Sequence, residues 1–285
     1  LAPLILKLRQ QFQVKICVTG QHREMLDQIL NIFQIKPDSD LNLMKPDQNL
    51  ASLTSGVLEG VHDLLEREHF DCVIVQGDTT SSIAAAMAAF YKKVSIAHLE
   101  AGLRTWNKFS PFPEEINRQL TSRLADIHLA PTEKNRNSLI KESIPPEKIF
   151  VTGNTVIDAL QWVLKNIPEP SWDLPFNPSE KKMILVTGHR RENFGEGFLN
   201  ICRAIKRLAE NNPKMGIVYP VHLNPNVQIP VKTLLGNQEN IHLMDPLTYP
   251  DFIHLMNRSF FILTDSGGVQ EEAPTLGKPV LVMRD

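Results

Sequence analysis

"DCVIVQGDTTSSIAAAMAAFYKKVSIAHLE", residues 71–100, holds a strand, a helix and a second strand in one run. "CVIVQ" and "VSIAHL" are apolar without polar alternation, the pattern of strands buried on both faces of a parallel sheet. "SSIAAAMAAFYK" between them is long enough and small enough to be the covering crossover helix. Working outward, the alternation continues. "VKICVTG" (14–20), "IHLAP" (127–131) and "KIFVTGN" (148–154) read as strands. "REMLDQILNIF" (23–33), "LASLTSGVLEGVHDLLEREH" (50–69), "EEINRQLTSRLA" (114–125) and "EKNRNSLIKES" (133–143) read as helices.

The pattern restarts after residue 181 with "KMILVTGH" (182–189), a helix near 197–211, "MGIVYPVH" (215–222), "NIHLM" (240–244), "DFIHLMNR" (251–258), "FFILTDSGG" (260–268) and "PVLVM" (279–283). Between the halves, residues 166–182 carry four prolines. Proline removes backbone donors and fixes φ, so this run reads as a linker. The expectation is α/β: two doubly wound, Rossmann-like domains, 1–167 and 168–285. Open sheets of this kind bind ligands beyond the carboxyl ends of their strands, which predicts a site in a cleft between the two.

Composition agrees. At 285 residues, with 42% apolar and 22% charged residues, the chain is an ordinary globular one of two-domain size. A net charge of −2 gives no global pull on nucleic acid or an anionic membrane, so a charged ligand needs a local site. Cys17, Cys72 and Cys202 are far apart in sequence and read as buried, reduced thiols of a cytoplasmic protein. No metal-ligand spacing occurs, and no apolar run reaches the roughly 18 residues of a membrane span. "LAPLILKLRQQ" opens in an amphipathic helix and "GKPVLVMRD" stops after a strand, so both ends are expected to be truncated.

The polar residues fall where strands end: Asp78, Glu100, His189, His222 and Asp265 with Ser266. Any one of them is readily explained as a cap for the next helix. Five such sites along the edges of two sheets point to ligand chemistry. "DSGGVQEEAP" (265–274) places Ser266, Gly267 and Gly268 at a strand-to-helix turn, where close backbone approach and unpaired amides suit a phosphate. Glu271 or Glu272, one turn on, suits a ribose diol. "TGHRREN" (187–193) offers His189, Arg190 and Arg191 as donors to a diphosphate. No G-x-G-x-x-G follows a strand, which gives a nicotinamide site little support.

"AHLEAGLRTWNKFSPFPEEINRQL" (97–120) gathers Glu100, Arg104, Glu114, Glu115 and Arg118. Pro113 suits a helix start, with Glu114 and Glu115 complementing the macrodipole and Glu114 pairing with Arg118 four residues on. That leaves Glu100 unexplained. A stiff aromatic loop that delivers acids beside Glu100 would create close carboxylates with divided acid and base roles.

Together "QHREMLDQ", "GDTT", "HLEAGLRT", "PFPEEINRQLT", "GNTVIDAL", "TGHRREN", "YPVHLNPNV" and "TDSGGVQEEAPTLGKPVLVMR" resemble the bacterial non-hydrolysing UDP-N-acetylglucosamine 2-epimerases. The match runs nearly end to end. The resemblance implies a glycosyltransferase-B-like fold, no cofactor, no metal and a homodimer. It also implies conversion of UDP-N-acetylglucosamine to UDP-N-acetylmannosamine for cell-surface polysaccharide, by anti elimination of UDP through 2-acetamidoglucal. Asp78, Glu100 and Glu114 then resemble the acid/base carboxylates, and His189 the group that assists departing UDP. Ser266, Gly267, Gly268 and Glu272 match nucleotide-binding positions, Arg118 a substrate-site residue, and Arg104 a support of the carboxylates. Gln21, His22, Arg190 and His222 match a second, allosteric UDP-N-acetylglucosamine site. Competing readings are a glycosyltransferase of the same fold and a non-catalytic UDP-sugar binding protein. The family's "GTRPE…K" loop and its C-terminal helical segment are not in this chain.

Overall fold

Thr79 and Asn49 start the two helices that define the first half of the molecule. Each accepts a hydrogen bond from the backbone amide three residues on, Ser82 N and Ser52 N, as helix N-caps do. The computed structural model describes residues 1–20, 23–43, 48–172, 174–176, 181–188, 190 and 194–283. Two compact units divide the chain, Leu1–Thr155 and Val156–Asp285.

In the first unit the order is α1 (Ala2–Leu8), β1 (Cys17–Val18), α2 (Arg23–Ile32), β2 (Ser39–Asp40), α3 (Leu50–Arg67), β3 (Cys72–Gln76), α4 (Thr80–Tyr91), β4 (Ser95–Leu99), α5 (Glu114–Leu124), β5 (Ile127–Ala130), α6 (Glu133–Lys141) and β6 (Ile149–Val151). Strands β3, β4, β5 and β6 form a parallel sheet in that order. Strand β1 is shorter than "VKICVTG" suggests and pairs in parallel with β2 in a separate two-stranded sheet. The alanines of α4 let it pack closely. Ala84 and Ala88 meet Leu53, Val57 and Val61 of α3, while Ala86 and Ala89 meet Val75 and Ile96 of the sheet.

The second unit contains α7 (Thr155–Asn166), β7 (Met183–Thr187), α8 (Glu196–Asn211), β8 (Gly216–Pro220), α9 (Pro225–Leu235), β9 (Ile241–Met244), α10 (Tyr249–Arg258), β10 (Phe261–Thr264), α11 (Gly267–Thr275) and β11 (Val280–Val282). Its five parallel strands run β11-β10-β7-β8-β9. Alternate residues of β7 serve opposite faces. Ile184 and Val186 pack with Phe198, Cys202 and Ile205 of α8 and Val227 and Val231 of α9. Met183 and Leu185 pack with Leu160, Val163, Ile253 and Ala273 from α7, α10 and α11. Helices cover both faces, so this sheet is doubly wound.

The division between units falls ahead of α7, not in the proline-rich run after it. Leu160 and Val163 are fully buried in the second unit's core, which draws α7 to that side. The three cysteines are free, and Cys202 is buried as expected, but Cys72 is exposed because β3 is an edge strand. Among the described residues no helix is long and apolar enough to cross a membrane.

Candidate active site

The first unit's site is built on the turn after β3. Gly77 N–H donates to Leu99 O at 2.9 Å and His98 Nε2 lies 2.8 Å from Gly77 O, which fixes the turn to the end of β4. Asp78 follows. Asn117 Nδ2 on α5 donates to Asp78 O at 2.9 Å, and Arg118 Nη2 meets Asp78 Oδ2 at 2.9 Å. One turn of α5 therefore grips both the backbone and the carboxylate of Asp78.

Glu100 lies next to this turn. Its Oε2 accepts from Gln76 Nε2 at 3.4 Å, and a Cβ placed on Gly77 would come within 3.7 Å of the same oxygen. Glu100 itself has φ +65°, in the left-handed region that a non-glycine residue adopts at a cost of order 1–3 kcal/mol. Such strain, held at a strand end beside the turn that carries Asp78, is the kind found at functional sites.

Burial pushes the Asp78 carboxyl above its ordinary range; Arg118 opposes this, and Glu114 with Glu115 reinforces it. Glu114 is the half-buried first residue of α5.

Three neighbours have other tasks. The expected Glu114–Arg118 side-chain pair gives way to a different one: the Arg118 guanidinium meets Asp78 and, at 3.7 Å, Glu115, while its Nε donates to the Glu114 carbonyl. Glu115 is fully buried and accepts from Thr105 N–H (3.0 Å), Trp106 N–H (3.0 Å) and Gln119 Nε2 (2.8 Å). Burial alone would raise its carboxyl, but these hydrogen bonds hold it below the usual range. It fastens the aromatic loop, with its cis Ser110–Pro111 and Phe112–Pro113 bonds, to the start of α5. The Arg104 side chain is fully buried; it pairs through Nε and Nη2 with Glu142 at 2.6 and 2.8 Å, and Nη2 donates to Ser122 Oγ at 2.9 Å. These bonds brace α5 against the end of α6, and none of them reaches Asp78, Glu100 or Glu114.

In the second unit, β7 continues to β8 on one side and pairs with β10 on the other, so the loops after β7 and β10 diverge at a topological switch point. Arg190 N–H donates to Asp265 Oδ2 at 2.9 Å, tying "TGHRREN" to "TDSGG". Tyr219 Oη donates to Gly188 O at 2.9 Å beneath them. Ser266 is the N-cap of α11 but makes no side-chain cap bond. A Cβ on Gly267 would stand 3.6 Å from Arg190 Nη2, so the glycine turn and the guanidinium face one space. Glu272 is buried and Glu271 exposed. His222, on the loop after β8, accepts from Asn224 N–H at 3.1 Å through Nδ1. Gln21, His22 and His189 lie outside the described residues.

Sequence reasoning missed Asn117, Tyr219 and Tyr249, whose hydroxyl reaches Glu272. Asn117 had a signal, one turn along from Glu114 on the same helix. The others act across long sequence separations that no local pattern reports.

A family model for UDP-N-acetylglucosamine 2-epimerases matches residues 5–285. The chain belongs to the UDP-N-acetylglucosamine 2-epimerase family. It is 55% identical over 297 residues to the UDP-N-acetylglucosamine 2-epimerase of Campylobacter jejuni, and 54% over 294 residues to that of Salmonella typhimurium. Each match covers 100% of this chain and 78% of the relative. The crystal structure of UDP-GlcNAc 2-epimerase from Neisseria meningitidis bound to UDP-GlcNAc is 51% identical, with a TM-score of 0.89 over 100% of this chain and 79% of that one. The fold is the α/β class that the sequence pattern implied, in the glycosyltransferase-B-like form that the family resemblance implied.

Proposed function

We propose that this epimerase-family chain interconverts UDP-N-acetylglucosamine and UDP-N-acetylmannosamine by anti elimination and re-addition of UDP. The hydrogen on sugar carbon 2 is not acidic. Cleavage of the bond between carbon 1 and the phosphate oxygen must therefore lead, its electron pair leaving with UDP. A carboxylate then takes the carbon 2 proton and a double bond forms, giving 2-acetamidoglucal. UDP adds back to carbon 1 while a proton is delivered to the opposite face of carbon 2. One carbon that loses a proton on one face and gains it on the other needs acid/base groups on both.

Asp78, Glu100 and Glu114 take those acid/base roles, with Arg118 and Asn117 positioning Asp78. His189 assists the departing diphosphate. Ser266, Gly267 and Gly268 receive the phosphates and Glu272 the ribose. The observation that carries the reading is the grip of α5 on Asp78 beside the strained Glu100. Epimerisation in deuterated water, followed at carbon 2 by NMR, tests it: solvent deuterium is expected in the product, and retention of the original hydrogen would rule out elimination.

Within this reading the enzyme is a cytoplasmic homodimer, and a second UDP-N-acetylglucosamine binds Gln21, His22, Arg190 and His222 as an activator. An activator works only through different affinities for two states. UDP-N-acetylmannosamine alone should then react slowly, with a trace of UDP-N-acetylglucosamine speeding it. Equal rates with and without the trace would count against the second site.

A further inference from the structure

Glu272 stands on the sixth residue of α11, and it is a buried carboxylate with no cation paired to it among the described residues. Burying an acid in this way is costly unless hydrogen bonds or a ligand compensate. The partner that the structure supplies comes from another helix. Tyr249, the first residue of α10, donates from its hydroxyl to Glu272 Oε1 at 3.0 Å.

The phenol is well fixed. Its ring packs on the core that contains Val269 and Ala273, which flank Glu272 along α11. The next residue, Pro250, is buried, and Thr248 caps the helix by accepting from Asp251 N–H. Burial raises the Tyr249 hydroxyl far above its ordinary range, so it keeps its proton and can donate to the carboxylate. On Glu272, burial pushes the carboxyl up, the tyrosine pulls it down, and Glu271 pushes it up.

We propose that Tyr249 is a positioning residue for nucleotide recognition: it holds Oε1 of Glu272 so that the other carboxylate oxygen meets the 2′,3′-diol of the ribose. This rests on Glu272 being the ribose ligand. A carboxylate aimed in this way accepts from ribose hydroxyls and loses those bonds when one hydroxyl is missing, which is how a polar site discriminates against a deoxy analogue. Tyr249 then sets discrimination between ribose and deoxyribose without touching the nucleotide.

The test uses the full chain with UDP and 2′-deoxy-UDP as probes, by calorimetry, in wild type, Tyr249→Phe, Glu272→Gln and the double variant. The phenylalanine keeps the ring and its packing. Tyr249→Phe is expected to lower the preference for UDP over 2′-deoxy-UDP by about three- to tenfold, the worth of one hydrogen bond. Glu272→Gln should lower it further, and the double variant should add nothing to Glu272→Gln. A wild-type preference in Tyr249→Phe beside a collapsed one in Glu272→Gln would overturn the positioning role while leaving the ribose ligand in place. An unchanged preference in Glu272→Gln would remove both. Should Tyr249→Phe fail to fold, a ring-fluorinated tyrosine at 249 keeps the shape and strengthens the donor. It should change the preference, and an unchanged one would overturn the inference.

Discussion

The Arg118 guanidinium stands 2.9 Å from Asp78 and 3.7 Å from Glu115, so one cation on α5 serves both the acid proposed to act on substrate and an acid that fastens the loop. The two acids differ because their surroundings differ. Glu115 is satisfied by backbone amides and is held low, whereas Asp78 is desolvated among like charges and is held high. Such a divergence of neighbouring carboxyls is a mark of acid/base function.

Removing the cation should exaggerate it. Arg118→Met is expected to raise the Asp78 carboxyl further, moving upward the limb of the kcat/KM–pH profile that Asp78 controls. A lower but unshifted profile would mean that Arg118 acts on substrate and not through Asp78.

Glu100→Gln and Glu114→Gln are each expected to lower kcat by about 10² or more, the usual contribution of a general acid or base. UDP affinity, measured calorimetrically, should stay near that of wild type, since the nucleotide is assigned to α11. Near-normal turnover in both variants would return these acids to the role of helix-start and turn residues.

Glu115 calls for a stability measurement. Its folded-state carboxyl is held below the unfolded value, so its stabilisation is present above the ordinary glutamate range and is lost as pH falls through the lower folded value. Glu115→Gln should cost about 1–3 kcal/mol at pH 7 by weakening the bonds to Thr105 and Trp106. The cost should shrink in acid. A constant difference in urea denaturation down to about pH 3 would contradict the clamp.

Much of this was legible in the sequence. Apolar runs without alternation marked the two larger parallel sheets, and Asp78, Glu100, Arg190 and the Ser266–Gly268 turn stand after strands as the pattern implied. Assignment of tasks within the acidic stretch was not. Arg104, Glu114 and Glu115 share one loop and helix start, and only packing shows that Arg104 turns to Glu142 and that Glu115 turns inward to the loop amides. The side on which α7 lies was not legible for a related reason: prolines mark where a chain stops forming elements, while the packing of α7 depends on what Leu160 and Val163 touch.

The last prediction concerns His98 and His128, register partners on β4 and β5 and both fully buried. Burial pushes each imidazole down to about 4. For His98 the bond to Gly77 opposes burial while His128 and Arg104 add to it; for His128, Lys148 and Arg104 add to it while Ala125 and Asp126 oppose. A histidine whose folded value lies below its unfolded one of about 6.5 binds its proton more readily when unfolded. Stability from the neutral pair is therefore fully present above that value and declines as pH falls toward 4, by about 1.4 kcal/mol per pH unit for each histidine. Asp78 and Glu272, both raised, act in the opposite sense, so the contribution is read by difference between variants. His98→Gln, which keeps a donor for Gly77, and His128→Leu should each remove one histidine's share of the slope between pH 6.5 and 4.5 in urea denaturation. Unchanged slopes in both variants would show that the two imidazoles titrate alike in the folded and unfolded chain.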